Sequence, residues 1–366
     1  MASIPSQQAL PIFTEALAAK YDELQKIRVM NFGRSFFAEE IVKSRFIKTQ
    51  IRRGTENVAL DVLLGSQGIR TQASNFSTGD YDPFYYRYFS DATRLEIYWR
   101  LFPSASWNEN DMVDGVNAIA ELQRQNKLLI ERAYELQCWQ FFLTGKMYSY
   151  QNPASPVQID FNRKSSSIVD LGSGEYWNTN ASTCNPFQDV QTGCDWIRQN
   201  GLAFGFEFDV IMGESAYTAF INSSKFVSLA TQLRNLDNDF DKSRRDEATG
   251  AVYHGNFSFG SYRGNVYTYN QFYQDPTTST PSLLPYVDPK KVILLPKGLT
   301  AEDAQMIYTA TPQLPKGMNT FDLYAADFVF TDYIDAKNKT HEFHVESAGL
   351  PVFKAVDKVY TMKVIS

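Results

Sequence analysis

The chain has 366 residues, too many for one comfortable core, and an ordinary 43% of hydrophobic residues, so two lobes with extended arms are expected. A net charge of −6 excludes a protein that grips nucleic acid through a basic surface. No run approaches the ~18 apolar residues of a membrane helix, the start lacks a secretory signal's basic and apolar blocks, and three cysteines make no disulfide framework.

Residues 6–28 come first. Leu10, Phe13, Leu17, Tyr21, Leu24 and Ile27 keep helical spacing, the pattern of an amphipathic arm that needs a surface to dock on. An aromatic junction follows, from Asn31 to Phe37. From 41 to 101 the pattern predicts an extended hairpin. Arg45 to Ile51 runs into Glu56 to Leu64, a polar tip spans Gly65 to Gly79, and Thr93 to Arg100 returns. The Tyr81 to Phe89 stretch within it is unusually aromatic. A hairpin of this length is not stable alone, so it is expected to lie across an adjacent subunit.

Glu109 to Leu143 reads as one uninterrupted helix, a strut of roughly 50 Å at ~1.5 Å per residue. Ile119, Leu122, Leu129, Ala133, Leu136 and Leu143 make its apolar stripe, widened by Ile130, Tyr134 and Phe141. Glu121, Arg124, Lys127, Glu131, Arg132 and Glu135 are expected on a solvated face. Asp111 and Asp114 favour the start, and Gly145 supplies the stop.

Beyond the strut, Val157 to Phe161 is a strand, Gly172 to Trp177 a turn region, and Asn185-Pro186 opens a helix that ends at Gly201. Phe204 to Met212 is an apolar strand. Ser215 to Leu236 is helical with breaks at Asn222 and Ser223, and Asp237 to Gly250 is a charged loop. Strands follow at Tyr262 to Phe272, Lys291 to Leu295, Phe328 to Tyr333, Phe343 to Val345 and Val359 to Ile365, with a Pro- and Thr-rich loop from Asp275 to Pro289. Helices and strands mix without βαβ alternation, which makes the fold class α+β.

Catalytic motifs are absent or incomplete. Gly145-Lys146 lacks the rest of a phosphate loop. Gly213-Glu214-Ser215-Ala216-Tyr217 half-matches a nucleophile elbow but lacks its last Gly. Gly255, Gly260 and Gly264 read as turns and strand kinks. His341 and His344 fall on opposite faces of a strand, so a solvent-facing polar strand is the expected reading rather than a metal site. Arg52-Arg53 and Lys290-Lys291 are short enough to be salt-bridge partners. No catalytic, cofactor-binding or metal residue is expected.

In order, these features resemble the lambda-like major capsid proteins of tailed phages, the capsid protein E family, with the Hong-Kong-97-type capsid fold. Phe32 to Phe37 with Ile41-Val42 resembles the family's N-terminal arm. Asn57-Val58-Ala59-Leu60 to Tyr81-Asp82-Pro83 resembles its extended loop, with Asp80 inserted in the Gly79 to Pro83 element. The long helix ending Leu143-Thr144-Gly145-Lys146 resembles the spine helix. Ile159 to Arg163, Gly172 to Trp177 and Ile211 to Tyr217 match later family elements, and Glu346 to Pro351 is close to its ending, with Gly349 inserted.

The resemblance implies a non-enzymatic shell subunit with no cofactor. It implies an N-terminal arm (1–40), an extended loop (41–102), a peripheral domain with the spine helix (103–175), an axial domain (176–340) and a C-terminal return (341–366). Hexamers and pentamers of the chain would form the head shell of a tailed bacteriophage or prophage, assembled in the host bacterial cytoplasm. Scaffold, portal and in some cases a decoration protein would be partners, and double-stranded DNA would be enclosed without sequence-specific binding. An encapsulin-type compartment shell is the alternative, and an enzyme the remote one.

Overall fold

The computed structural model describes residues 31–52, 76–93, 109–150, 157–179, 184–203, 205–233, 244–245, 249–275, 277, 282–313, 322–335 and 340–366. The expected arm at 6–28, the strand runs at 56–64 and 94–100, and most of the loop at 237–250 lie outside these residues.

Helix α1 runs Glu109–Thr144, 36 residues, as its periodicity predicts. Gly145 ends it at φ +74°, donating its N–H to the Phe141 carbonyl at 2.7 Å. Any Cβ there would stand 2.6 Å from Arg163 Cβ, so both backbone and space require glycine.

The buried face of α1 differs from the expected one. Ile119, Ile130, Tyr134, Leu136 and Phe141 are buried, but Leu129 is 43% exposed. Lys127, Glu131 and Glu135, expected in solvent, are buried. Their partners explain the reversal: Gly33, Arg34 and Phe328 meet that side of the helix, and Lys127 pairs with Glu131.

A five-stranded sheet packs on α1. Its centre is the 14-residue strand Thr340–Phe353. Phe84–Thr93 and Val329–Asp335 both pair with its first half, so they occupy opposite edges. Gly349 faces both Phe84 and Tyr308, which puts Ala304–Tyr308 opposite Phe84–Thr93 and end to end with Val329–Asp335. Ala38–Ile41 adds a parallel strand outside Ala304–Tyr308.

The Tyr81 to Phe89 aromatics are thereby placed on the subunit's own body. Phe84–Thr93 is antiparallel to Thr340–Gly349 over its whole length, and Tyr86 packs edge-on against Tyr134 of α1. The hairpin also closes earlier than expected. Ile47–Arg52 pairs with Phe76–Tyr81, whose first residues fall in the expected polar tip.

A seven-stranded sheet forms the other body. Its order is Ile168–Asp170, Tyr360–Lys363, Lys291–Pro296, Glu207–Met212, Tyr262–Thr268, Val252–Phe259 and Arg244–Arg245. Alternation sends its side chains to two cores. Ile211, Ile293 and Leu295 join the core beneath α1, whereas Val210, Met212, Val292 and Leu294 join a second core. Burial on both faces accounts for the unbroken apolar run Val292 to Leu295.

Three helices cover the second core. α2 (Pro186–Gly201) starts with Pro at its first turn and buries Val190, Cys194 and Ile197. α3 (Glu214–Asn222) and α4 (Ser224–Leu233) break at Ser223, as the sequence suggests. Ser223 Oγ accepts the Phe226 N–H at 3.3 Å, capping α4. Cys138, Cys184 and Cys194 are all free.

Candidate interaction surfaces

The residues that tempt a catalytic reading are held by structural contacts. Gly213 does lie between a strand and α3, and Ser215 lines a shallow cleft with Trp177, Asn178, Glu214, Thr218 and Asn222, but no histidine lines it. His254 instead stacks on Tyr217 at 3.9 Å and hydrogen-bonds Thr268 Oγ1 at 2.8 Å. Gly260 turns the hairpin at φ +63°, and Gly255 sits at a bulge at φ +129°. Lys290 donates to the Ser366 carbonyl oxygen at 2.6 Å, and Lys291 pairs with Asp288 at 3.6 Å. Among the described residues no cluster of His, Cys, Asp or Glu could hold a metal ion.

His344 departs from the expected polar strand. It is buried rather than solvent-facing. Phe89 stacks over it at 5.2 Å, Arg87 Nε donates to its Nδ1 at 3.2 Å, and its Nε2 lies 3.0 Å from Glu342. Beside it the buried Glu346 accepts from Tyr85 Oη and Gln313 Nε2, each at 2.7 Å. These contacts tie Phe84–Thr93 to the central strand by side chains as well as by its backbone ladder.

The N-terminal junction is clamped onto α1. Arg34–Phe36 forms a 3-10 turn. The buried Glu135 carboxylate accepts the Gly33 N–H at 2.8 Å, the Arg34 N–H at 3.0 Å and Trp139 Nε1 at 2.7 Å. Burial pushes its pKa up, and these donors with Tyr269 oppose that. Arg34 reaches Glu39 at 2.7 Å and Tyr308 Oη at 2.5 Å, with Glu131 at 3.9 Å. Burial opposes its charge, but Tyr308, Glu39 and Glu131 outweigh burial and hold its pKa above the usual value.

A second hub, Arg163, joins the end of α1 to the terminal strand. It donates to the carbonyls of Phe142, Ser167 and Val359 and to the hydroxyls of Ser167 and Thr361, at 2.7 to 3.0 Å. Burial pulls its pKa down to about 9, with Asp357 opposing, so it stays charged at neutral pH.

Around these anchors lie exposed apolar side chains. Leu129 on α1 and Phe89 on the sheet edge are two. Two small hairpins carry others: Phe272–Gln274 with Leu283–Pro285 exposes Leu283 at 73%, and Ala310–Gln313 with Asp322–Ala325 exposes Leu323 at 67%. Scattered single residues would be ordinary, but exposed apolar side chains on short strands and strand edges of this kind suit contact with other chains. Sequence reading missed the Glu135 clamp; Gly33 beside a run of aromatics was its only signal.

The family model described as phage major capsid protein E matches residues 13–364. A proposed capsid protein from a prophage of Escherichia coli CFT073 superimposes with a TM-score of 0.63 at 14% identity, covering 96% of this chain and 99% of that one. A phage-related protein from Bordetella bronchiseptica RB50 gives 0.51 at 13% identity and 96% of each chain. An encapsulin from Synechococcus elongatus PCC 7942 gives 0.45 at 11% identity, covering 94% and 91%. No curated protein matches the chain.

Proposed function

The chain belongs to the phage major capsid protein E family, and from that premise we infer how this shell-forming subunit builds its wall. It is a major capsid protein, and its copies assemble into the capsid of a virion. The observation that carries this is the family match across nearly the whole chain, 13–364.

The finer reading concerns which parts reach outward. Residues 1–40 serve as an N-terminal arm and 41–102 as an extended loop rooted in the sheet by Phe84–Thr93. Residues 103–175 form a peripheral domain around α1, 176–340 an axial domain, and 341–366 a return strand pair. Hexamers and pentamers of the chain close an icosahedral head around double-stranded DNA. Heterologous contacts that close on themselves generate such a shell, and arms that overlap neighbours add many modest contacts whose sum is strong. A net charge of −6 leaves the DNA enclosed without tight binding. Scaffold, portal and decoration proteins are the expected partners, and the host cytoplasm is the expected place of assembly. The rigid joints at Glu135 and Arg163 support this reading, because arms transmit geometry only if their roots hold still.

The test is co-expression with the scaffold encoded beside the gene, then sedimentation and negative-stain microscopy. Closed shells or capsomers are expected. A stable monomer under those conditions overturns the reading.

A further inference from the structure

Lys127, Glu131, Glu135 and Trp139 recur once per turn of α1 and form a buried polar stripe. Glu131, Glu135 and Trp139 meet Arg34, Gly33 and Phe32 of the junction through which the first 30 residues join the body, while Lys127 pairs with Glu131 and lies over the Phe328 ring. We propose that the stripe is a fixed mount that aims the N-terminal segment at a second copy of this chain, with Glu135 as the positioning residue. The proposal rests on the shell-forming reading and specifies how one of its contacts is directed.

Geometry carries the argument. Glu135 grips two consecutive backbone N–H groups, those of Gly33 and Arg34, one with each carboxylate oxygen. Two adjacent peptide planes are thus oriented, which fixes the direction of the chain and not merely the place of a side chain. Trp139 Nε1 and Tyr269 hold the carboxylate from the other side. Phe32 packs against Phe36, Trp139 and Tyr269, at centroid distances of 5.2 to 6.1 Å. Downstream, Ala38–Ile41 is zipped to Ala304–Tyr308. Contacts thus hold the chain at Phe32 to Arg34 and again from Ala38 to Ile41. Gly33 is needed for the fit, since a Cβ there would lie 2.9 Å from the Trp139 ring.

A buried carboxylate is a poor way to gain stability, because apolar replacements often serve as well. Direction is what it supplies and apolar packing does not. What is aimed is a segment whose Leu10, Phe13, Leu17, Tyr21, Leu24 and Ile27 keep helical spacing in the sequence, an apolar pattern that a second copy's surface would cover. Because shell contacts act jointly, a small loss of aim in each copy multiplies across the particle.

The experiment compares wild type with Glu135→Gln, whose amide sets a donor against one of the backbone N–H groups. Amide exchange at Gly33 and Arg34 should accelerate, the melting transition should stay cooperative, and the fraction of chains in closed shells should fall about tenfold. Wild-type shell size and yield despite faster exchange would overturn the proposal. In a Leu17→Asp/Leu24→Asp background, which spoils the arm itself, Glu135→Gln should add no further loss. A further loss of the same factor would mean that Glu135 acts through the body and not through the arm. If Glu135→Gln does not fold, spin labels at Arg28 and the exposed Arg132 of otherwise wild-type protein decide the matter. A narrow distance distribution in the unassembled subunit supports the mount, and one as broad as a free chain overturns it. Wild type that forms no shells at all would count against the shell reading alone, leaving the label distances to judge the mount.

Discussion

The two cores of this subunit are built differently. The second core, between α2, α3 and one face of the seven-stranded sheet, is apolar: Phe220 alone touches the rings of Trp177, Phe187, Phe226, Phe257 and Phe259. The core beneath α1 is aromatic too, but it also encloses Arg34, Lys127, Glu131, Glu135, His344 and Glu346. Its segments come from far apart in the chain, at 32–37, 84–93, 109–144, 304–308 and 340–353, whereas the second core draws mostly on a continuous stretch. Apolar groups pack adequately in many arrangements, and charge pairs accept few. The charged core is therefore where distant segments are held in one unique relation, and the apolar core is where stability is gained by burial alone.

The largest test of that contrast is Glu131→Leu. It removes the carboxylate 3.7 Å from the buried Lys127 ammonium, and 3.9 Å from Arg34, which keeps Glu39, and should cost about 3–5 kcal/mol in urea denaturation. Adding Lys127→Met should recover most of the loss, because an apolar group needs no partner. Failure to recover would mean that the charges stabilise this core outright, and the contrast would fall.

Phe220→Ala in the apolar core should cost about 3–4 kcal/mol through lost burial and a cavity. Here only refilling the volume, as with Phe220→Leu, should restore stability. A loss below about 1 kcal/mol would show that this core relaxes around the gap.

Leu129→Asp should change subunit stability by no more than about 0.5 kcal/mol, since the side chain already lies in the open. A large loss of melting temperature would return Leu129 to the core face and rotate the whole assignment of α1.

The smallest expected effect is on the surface of the seven-stranded sheet. Lys297 hydrogen-bonds Glu207 at 2.6 Å and holds its pKa below the ordinary value. A depressed carboxylate stabilises above its unfolded pKa, and that contribution fades as pH falls through the folded one. Lys297→Met should therefore flatten the stability profile slightly below about pH 4.5, the ordinary glutamate value. An unchanged profile would show that solvent screens the pair completely.

These contrasts also explain which parts of the molecule were legible in its sequence. The length of α1, its glycine stop, the break at Ser223 and the Pro186 entry depend on neighbours within one or two turns, and they were readable. The inward face of α1 was not. Periodicity puts Leu129 inside and Glu135 outside, but Glu135 turns inward to meet backbone donors 101 and 102 residues away. Strand partnership failed for the same reason. Phe76–Tyr81 is polar enough to pass for a tip, and only its pairing with Ile47–Arg52 makes it a strand. Phe84–Thr93 reads as part of a projecting loop because its partner, Thr340–Gly349, lies far along the chain. The resemblance to capsid proteins was carried by the order of short motifs, which local physics alone does not interpret.

The arrangement around Thr340–Phe353 has a mechanical consequence. On one edge, Val329–Asp335 and Ala304–Tyr308 meet end to end near Ser347 and Ala348. On the other, Phe84–Thr93 spans that gap like a splint, matched residue for residue from Thr340 to Gly349. The hairpin of Ile47–Arg52 and Phe76–Tyr81 feeds directly into the splint. A pull directed along Phe84–Thr93 would load its ladder with Thr340–Gly349 perpendicular to the hydrogen bonds. Such bonds resist in shear, all together, instead of peeling one at a time. Tension carried by that strand would therefore meet the whole ladder at once.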